Sequence, residues 1–203
     1  MTAGAAKYRV AEIFESLQGE GRNSGRQCVF VRFAGCNLKC PWCDTDFSER
    51  FALTRSELVA EICGYRAKSV ILTGGEPTLQ PEMAELVADL RRHGLWIAVE
   101  TNATADFDAA PWLGFVDYIA CSPKMEFPDS VKLTRADEVR VVASGEAAVE
   151  FCRAIEKKIE ATDFYISPCD RDGEIDFATA KSVLGCLPGW SLSVQLHKLL
   201  GFR

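Results

Sequence analysis

The sequence predicts an α/β fold, an incomplete TIM-like (β/α)6 barrel with fewer helices than strands. Short apolar strands alternate with amphipathic helices along the 203 residues, a pattern typical of βαβ units and a parallel sheet. Because such crossovers are right-handed, about six of them curl the sheet toward a barrel. The connections at 101–115 and 122–136 contain proline or glycine and are too short for full helices. We therefore expect one domain, residues 1–203, in which some barrel helices are missing.

The helices and strands are located by the periodicity of apolar residues and by residues typical of helix ends. Thr54 and Glu57 form a capping-box pair at the start of the first helix. Gly94 is expected to end the second helix, and Ser144 is a candidate N-cap for the third. The predicted strands span 8–14, 28–34, 69–73, 95–100, 116–121, 137–143, 163–167 and 191–195. The predicted helices span 54–64, 80–93, 145–160 and 176–187.

Composition favours a small-molecule or protein partner over nucleic acid or membrane. The net charge is -6, without a block of like charge, so no surface is predicted to bind a nucleic-acid backbone. No apolar run reaches the roughly 18 residues of a membrane span, and the first residues lack the apolar stretch of a secretory signal. The nine cysteines are an odd number in a chain predicted to be cytoplasmic, where thiols stay reduced and serve in metal binding, catalysis or packing.

Three of these cysteines follow the second predicted strand. Cys36, Cys40 and Cys43 are spaced four and three residues apart, so one compact loop can bring their thiolates to a single iron–sulfur cluster. Three protein ligands for a four-iron cluster leave one iron open for chemistry. The alternatives are unrelated buried cysteines or a structural zinc site that lacks a fourth ligand. Neither His93 nor His197 is close in sequence to supply that ligand.

Polar segments follow the other predicted strands as well. In parallel α/β folds the carboxyl ends of the strands meet at one edge, where ligands bind. Each segment alone could be a helix cap or a turn, but together they predict one rim lined for a polar ligand. They are Gly74-Gly75-Glu76-Pro77, Glu100-Thr101-Asn102, Ser122-Pro123-Lys124 and Pro168-Cys169-Asp170.

Taken together, these residues resemble the radical S-adenosylmethionine (SAM) superfamily, through the three-cysteine motif and the Gly-Gly-Glu-Pro turn. Within it the chain resembles the 7-carboxy-7-deazaguanine synthase family of queuosine biosynthesis, over nearly its whole length. Its more specific marks are Ser16-Leu17-Gln18-Gly19-Glu20-Gly21, Val31-Arg32-Phe33, Cys43-Asp44-Thr45, Leu72-Thr73, Glu100-Thr101-Asn102, Ser122-Pro123-Lys124 and His197-Lys198. The resemblance implies a partial barrel of the radical SAM type and a homodimer.

The resemblance also implies a reaction. A lyase of this family converts 6-carboxy-5,6,7,8-tetrahydropterin to 7-carboxy-7-deazaguanine by ring contraction with loss of ammonia. Reduced flavodoxin or ferredoxin supplies an electron that cleaves SAM on the [4Fe–4S] cluster. The resulting 5′-deoxyadenosyl radical takes a hydrogen from the pterin and later receives it back, so SAM acts as a true cofactor.

The same resemblance assigns residues to ligands. The cluster ligands would be Cys36, Cys40 and Cys43, and Thr45 would hold Mg²⁺, which prefers oxygen ligands. SAM would contact Trp42, Cys43, Asp44, Gly75, Glu76, Ser122, Pro123, Lys124, Ser167, Pro168, Cys169 and Asp170. The substrate would contact Leu17, Gln18, Gly19, Glu20, Arg32, Thr73 and Arg203. Arg32 offers the planar fork that suits a carboxylate.

Two other functions remain compatible with the motifs. A radical SAM activase, which installs a glycyl radical on a partner protein, would share the cluster and the glycine-rich turn. Arg32, Thr45 and the segment around Gln18 favour the small-molecule enzyme over it. A non-enzymatic zinc-binding module would be colourless, whereas an iron–sulfur protein absorbs visible light.

Overall fold

The computed structural model describes residues 6–43, 45–171 and 173–202. The strands are β1 (Lys7–Leu17), β2 (Gln27–Phe33), β3 (Phe51–Thr54), β4 (Ser69–Gly74), β5 (Trp96–Thr101), β6 (Tyr118–Cys121), β7 (Glu138–Ala143), β8 (Asp163–Pro168), β9 (Asp170–Arg171), β10 (Glu174–Ile175) and β11 (Ser191–Leu192). The helices are α1 (Arg55–Gly64), α2 (Met83–Arg92), α3 (Ala148–Lys158), α4 (Phe177–Gly185) and α5 (Leu196–Leu200). None of the helices in the described ranges combines the length and the apolar character that crossing a membrane requires.

The main sheet has the order β11-β8-β7-β6-β5-β4-β2-β1-β3. Seven neighbouring strands of that order, β2, β4, β5, β6, β7, β8 and β11, pair in parallel, which confirms the predicted mostly parallel α/β fold. β1 is antiparallel to β2, because residues 18–26 are too few for the crossover that a parallel pair needs. The connections at 101–115 and 122–136 contain only short 3₁₀ turns, so helices are fewer than strands, as predicted.

The residues predicted to lie at helix ends are confirmed at α1 and α2, but the prediction for α3 is wrong. The capping box of Thr54 and Glu57 is present at α1, and Gly94 follows α2 with a φ of +72°. Ser144 is not the N-cap of α3: the helix begins at Ala148, after a turn, and the Ser144 hydroxyl donates to a Glu126 carboxylate oxygen at 3.2 Å instead.

The short elements were missed or overextended. The predicted strand at 191–195 is ordered as a strand only over Ser191–Leu192, and β3, β9, β10 and α5 were not predicted. A strand of two to four residues has too few positions to show an alternating pattern. β3 is defined by its antiparallel pairing with β1. The local sequence of β3 does not indicate that pairing.

Alternation along the strands separates two faces of the sheet. The outer face belongs to the main core, in which α2 buries Met83, Leu86, Val87 and Leu90. The inner face is apolar near the start of the strands, where Phe14, Cys28, Phe30, Ile71, Ala98, Tyr118 and Ala120 pack together. Because side chains alternate with period two, the next inward positions toward the carboxyl ends are polar: Arg32, Thr73, Glu100 and Ser122.

The hairpin loop at residues 18–26 reaches across the curved sheet. Its Arg22 amide donates to Glu138 Oε2 on β7 at 2.9 Å, although β7 is separated from β2 by β6, β5 and β4. The Gly21 amide donates to Ser193 Oγ, and Gly19 O accepts the Leu196 amide, both at 2.9 Å. The loop thereby helps close one side of the partial barrel.

Candidate active site

A cavity of about 390 Å³ opens at the carboxyl ends of the parallel strands. It brings together most of the predicted site residues: Leu17, Gln18, Gly19, Glu20, Arg32, Trp42, Thr45, Thr73, Gly75, Ser122, Lys124, Ser167, Pro168 and Asp170. The side chains of Cys36, Cys40, Cys43, Glu76, Pro123 and Cys169 do not line it. Asp44 and Arg203 lie outside the described residues.

The cysteine loop, residues 36–43, is fixed on one side by the segment that follows β5. The Asn102 side-chain amide donates to Asn37 Oδ1 at 2.9 Å and approaches Cys36 Sγ at 3.8 Å. Asn37 in turn donates to Thr104 Oγ1 at 2.8 Å. The first cysteine is therefore held by side chains from a neighbouring strand end.

The other side of the cysteine loop is fixed by the segment that follows β6. The Trp42 indole N–H donates to Glu126 Oε1 at 2.5 Å. Lys124 Nζ lies 5.2 Å from the centre of the Trp42 ring and donates to Ser122 Oγ at 2.8 Å. Burial lowers the pKa of Lys124, and the nearby Cys40 thiol opposes that shift. A cation thus lies beside the predicted cluster ligands.

The Gly-Gly-Glu turn after β4 packs directly against the cysteine loop. A Cβ atom at Gly75 would lie 1.9 Å from the Gly35 carbonyl oxygen, so this close approach requires glycine. Glu76 is fully buried, and its carboxylate accepts hydrogen bonds from Thr78, Thr101 and the Asn102 amide at 2.7–3.1 Å. Burial raises the pKa of Glu76 and these donors oppose the rise. In this structure Glu76 joins the loops together and does not face the cavity.

The donor set of the cysteine loop fits a four-iron cluster. Burial is the main factor that raises the pKa of the Cys40 thiol, Lys124 lowers it, and Cys43 and Cys36 raise it further. The Cys40 thiol therefore lies within electrostatic reach of the other two cysteines. Among the described residues, no three His, Cys, Asp or Glu side chains are placed to hold a single metal ion. Three thiolates can bind three irons of a cluster and leave the fourth open.

A charge network of Glu20, Glu100, Glu138 and Arg140 forms another part of the site. Arg140, on β7, is 4% exposed and forms ion pairs with Glu20, with Glu100 at 2.7 Å and with Glu138 at 2.9 Å. Burial would lower the pKa of Arg140, but the three carboxylates raise it above its ordinary value. Since three negative charges surround one guanidinium, the network carries excess negative charge beside the cavity.

Glu100 organises the polar groups at the base of the cavity. Its Oε1 accepts from Arg140 and from Gln18 Nε2, and its Oε2 accepts from the Thr73 hydroxyl at 2.9 Å. Burial raises the pKa of Glu100, but the Arg140 charge and these hydrogen bonds outweigh it and lower the pKa to about 2. Because the Thr73 hydroxyl donates to Glu100, its oxygen lone pairs are left to accept a hydrogen bond from a ligand.

Arg32 and the carboxyl-terminal segment complete the lining. The Arg32 guanidinium is oriented by Glu12, with Nε and Oε1 2.8 Å apart, which leaves its other N–H groups for a carboxylate. His197 lines the cavity beside Gly19, where an added Cβ would lie 1.9 Å from the ring nitrogen Nδ1. Lys198 pairs with Asp170 at 2.5 Å. A glycine at position 19 thus makes room for the histidine.

Sequence reasoning missed Glu12, Glu138 and Arg140 as site residues. Arg140 lies inside the predicted strand 137–143, and no site residue was predicted in that strand or directly after it. The available signal was alternation: on β7 the residues at 138, 140 and 142 share one face, and two of them are charged in an otherwise apolar strand.

Comparisons with known proteins agree with the resemblance. The family model of the Radical SAM superfamily matches residues 30–167. The chain is 39% identical to the 7-carboxy-7-deazaguanine synthase of Haemophilus influenzae over 205 residues, which covers 97% of this chain and 94% of the relative. It is 40% identical to the synthase of the same name from Neisseria meningitidis serogroup B over 207 residues, covering 97% of this chain and 95% of the relative.

A solved structure supports the fold independently of close sequence identity. QueE from Escherichia coli superimposes with a TM-score of 0.72 at 23% identity, over 94% of this chain and 95% of that one. The cysteine motif, the partial barrel and the full-length similarity all agree. The chain belongs to the 7-carboxy-7-deazaguanine synthase family of the radical SAM superfamily.

Proposed function

We propose that this protein is a lyase that converts 6-carboxy-5,6,7,8-tetrahydropterin to 7-carboxy-7-deazaguanine with loss of ammonia, a step of queuosine biosynthesis. Relatives that carry the synthase name match almost the whole chain. The structural observation that carries the proposal is the shared cavity: Trp42 and Thr45 of the cysteine-loop region line the same 390 Å³ space as Arg32, Glu20 and Glu100.

The cluster and SAM would be held at the cysteine-loop end of this cavity. Cys36, Cys40 and Cys43 would bind three irons of the [4Fe–4S] cluster. When bound, the cluster and SAM supply a carbon radical that abstracts hydrogen. The residues that would contact SAM are Trp42, Cys43, Asp44, Gly75, Ser122, Pro123, Lys124, Ser167, Pro168, Cys169 and Asp170. Glu76 would contact SAM through the backbone turn that its carboxylate stabilises, because that carboxylate already accepts hydrogen bonds from Thr78, Thr101 and Asn102.

The substrate would bind at the network end of the cavity. Arg32, already oriented by Glu12, would receive the substrate carboxylate as a bidentate partner. Glu20, Gln18 and Thr73 would bind the amide and amino edge of the pterin. Leu17, Gly19 and Arg203 would also contact the substrate. Thr45 would place Mg²⁺, which keeps several waters and needs few protein ligands, against the substrate carboxylate.

We further propose the setting in which the reaction runs. Reduced flavodoxin or ferredoxin would deliver the electron, the protein would be a cytoplasmic homodimer, and residues 1–203 would act as one domain. The continuous core that joins the strands to α1, α2, α3 and α4 supports the single domain.

Anaerobic reconstitution with iron and sulfide tests the function. The protein should become brown and, with SAM, dithionite and Mg²⁺, turn over the carboxylated tetrahydropterin to a product identified by mass spectrometry. SAM should be recovered rather than consumed in proportion to product. A colourless, zinc-loaded protein would contradict the cluster, and a brown protein that ignores the pterin but cleaves SAM with a partner protein would favour the activase.

A further inference from the structure

The side chain of Asn102 has a fixed orientation beside the first cysteine. Asn102 is 6% exposed. Its Oδ1 accepts the Thr104 amide at 3.0 Å, and since a backbone N–H can only donate, the other end of the amide group must be the nitrogen. That nitrogen, Nδ2, donates to Asn37 Oδ1 at 2.9 Å and lies 3.8 Å from Cys36 Sγ. Because the amide nitrogen carries two N–H groups, one can bond to Asn37 and the other to the sulfur.

The backbone of Asn102 is held separately from its side chain. Its own N–H donates to Glu76 Oε2 at 2.7 Å, inside the buried cluster of hydrogen bonds around that carboxylate. A substitution of the Asn102 side chain leaves this backbone bond in place. Cys36 Sγ also receives the Leu38 amide at 3.4 Å, so the sulfur lies where two N–H groups converge, one local and one from the end of β5.

We propose that Asn102 is a positioning residue for Cys36 whose N–H···S hydrogen bond raises the reduction potential of the cluster. The inference rests on the proposed cluster ligands. Hydrogen bonds to cluster sulfurs favour the more negative, reduced state and are among the factors that set iron–sulfur potentials. The effect is stronger where water is excluded, and Asn102 is almost completely buried. The end of β5 would thus tune electron entry as well as hold the loop.

The test is an anaerobic redox titration of cluster-loaded protein without SAM, followed by electron paramagnetic resonance of the reduced cluster. Asn102→Ala also loses the side-chain bond to Asn37, but Glu126 still holds Trp42 on the other side of the cysteine loop, so the variant should keep its iron content. At the midpoint potential of the wild type, its ratio of reduced to oxidised cluster should fall by about threefold to tenfold. Asn102→Asp keeps the shape and the Oδ1 acceptor but replaces the donor with a carboxylate, so its ratio should fall further.

Thr104→Ala is the matched control. It removes the hydroxyl that accepts from Asn37 but leaves the Asn102 amide and the Thr104 backbone donor, so the potential should stay at the wild-type value. An unchanged potential in both Asn102 variants, or an equal shift in Thr104→Ala, would overturn the inference. Loss of iron from both Asn102 variants would also overturn it, because Asn102 would then hold the loop rather than tune the cluster. A wild-type protein without a cluster would instead defeat the proposed function itself.

Discussion

The cysteine loop and the charge network are two parts of one site that are built in different ways. Cys43 is exposed, Cys36 and Cys40 are half-buried, and the loop is attached to its neighbours by single side-chain hydrogen bonds. Arg140 lies within β7, is almost completely buried and has its carboxylate partners in place. We infer that the cysteine loop takes its final form when its sulfurs bind a ligand. The sheet, in contrast, already holds the side chains of the charge network in place.

The largest effect should come from the cysteine loop. Cys40→Ala should abolish the cluster and turnover together, because two thiolates leave the cluster short of a ligand. Iron and sulfide analysis, visible absorbance and the pterin assay measure the loss. Cys63→Ala changes an exposed cysteine of α1 and should retain both. A full four-iron cluster with normal turnover in Cys40→Ala would refute the ligand assignment.

The next largest effect should come from the charge network. Its loss should lower the free energy of unfolding rather than the cluster content. Arg140→Met leaves three carboxylates without their cation, and breaking a buried ion pair in this way costs about 3–5 kcal/mol of unfolding free energy. Urea unfolding followed by circular dichroism measures it. Arg92→Met, which removes an exposed arginine of α2, should change the unfolding free energy by less than about 1 kcal/mol. Equal losses in the two variants would remove the contrast between network and surface.

Thr45 should affect metal response while leaving the cluster intact. Thr45→Ala removes the hydroxyl oxygen proposed to hold Mg²⁺, so the Mg²⁺ concentration for half-maximal activation should rise at least about tenfold. Titration of turnover with Mg²⁺ measures it, with iron content as the check. Thr45→Ser keeps an oxygen and should stay near the wild type. If Thr45→Ala showed the wild-type Mg²⁺ response, Thr45 would not belong to the site.

A smaller effect is expected at Thr73. Thr73→Val removes the hydroxyl that donates to Glu100 and accepts from the ligand, and the loss of one neutral hydrogen bond should raise KM by about threefold to tenfold. Steady-state kinetics with varied pterin measures it. Thr162→Val offers a control, since Thr162 is exposed and is not among the residues that line the cavity. An unaltered KM in Thr73→Val would place the pterin elsewhere.

The smallest expected effect is a change in pH dependence. The pKa of Glu100 is lowered to about 2, so this carboxylate stays ionised at any pH near neutrality. Arg140→Gln removes the cation that opposes burial, so the pKa of Glu100 should rise and kcat/KM should fall as the pH is lowered below neutrality. Arg140→Lys keeps a positive charge and should show less of this acid limb. Identical profiles in wild type and Arg140→Gln would mean that ionised Glu100 is not needed.

The sequence predicted the two regions to different extents. The cysteine loop was predictable because its signal is local: three cysteines and a glycine-rich turn, each following a strand. The charge network was not predictable from the sequence. Its Arg140 pairs with Glu20 and Glu100, which are distant along the chain and come close to it only in the curved sheet. The same limit explains why β3 was not predicted and why β11 is shorter than the predicted strand at 191–195, because each extends only as far as its pairing with the strand beside it.

Helix ends were predictable where the capping hydrogen bonds join residues of a single turn. Thr54 and Glu57 bond to each other and need no third element. Ser144 had an equally suitable side chain, yet Glu126, brought near by the loop after β6, takes its hydroxyl. A local sequence pattern does not show that a residue distant along the chain will compete for the same hydroxyl group.

The hairpin loop at residues 18–26 has a consequence for how the charge network is assembled. The Arg22 amide donates a hydrogen bond to Glu138, and Glu20 forms an ion pair with Arg140 on β7. Neither contact is a strand-to-strand hydrogen bond, so the loop adds to the network without adding to the pairing of the sheet. Substitutions within the loop can therefore change the charge beside the cavity while the strands stay paired.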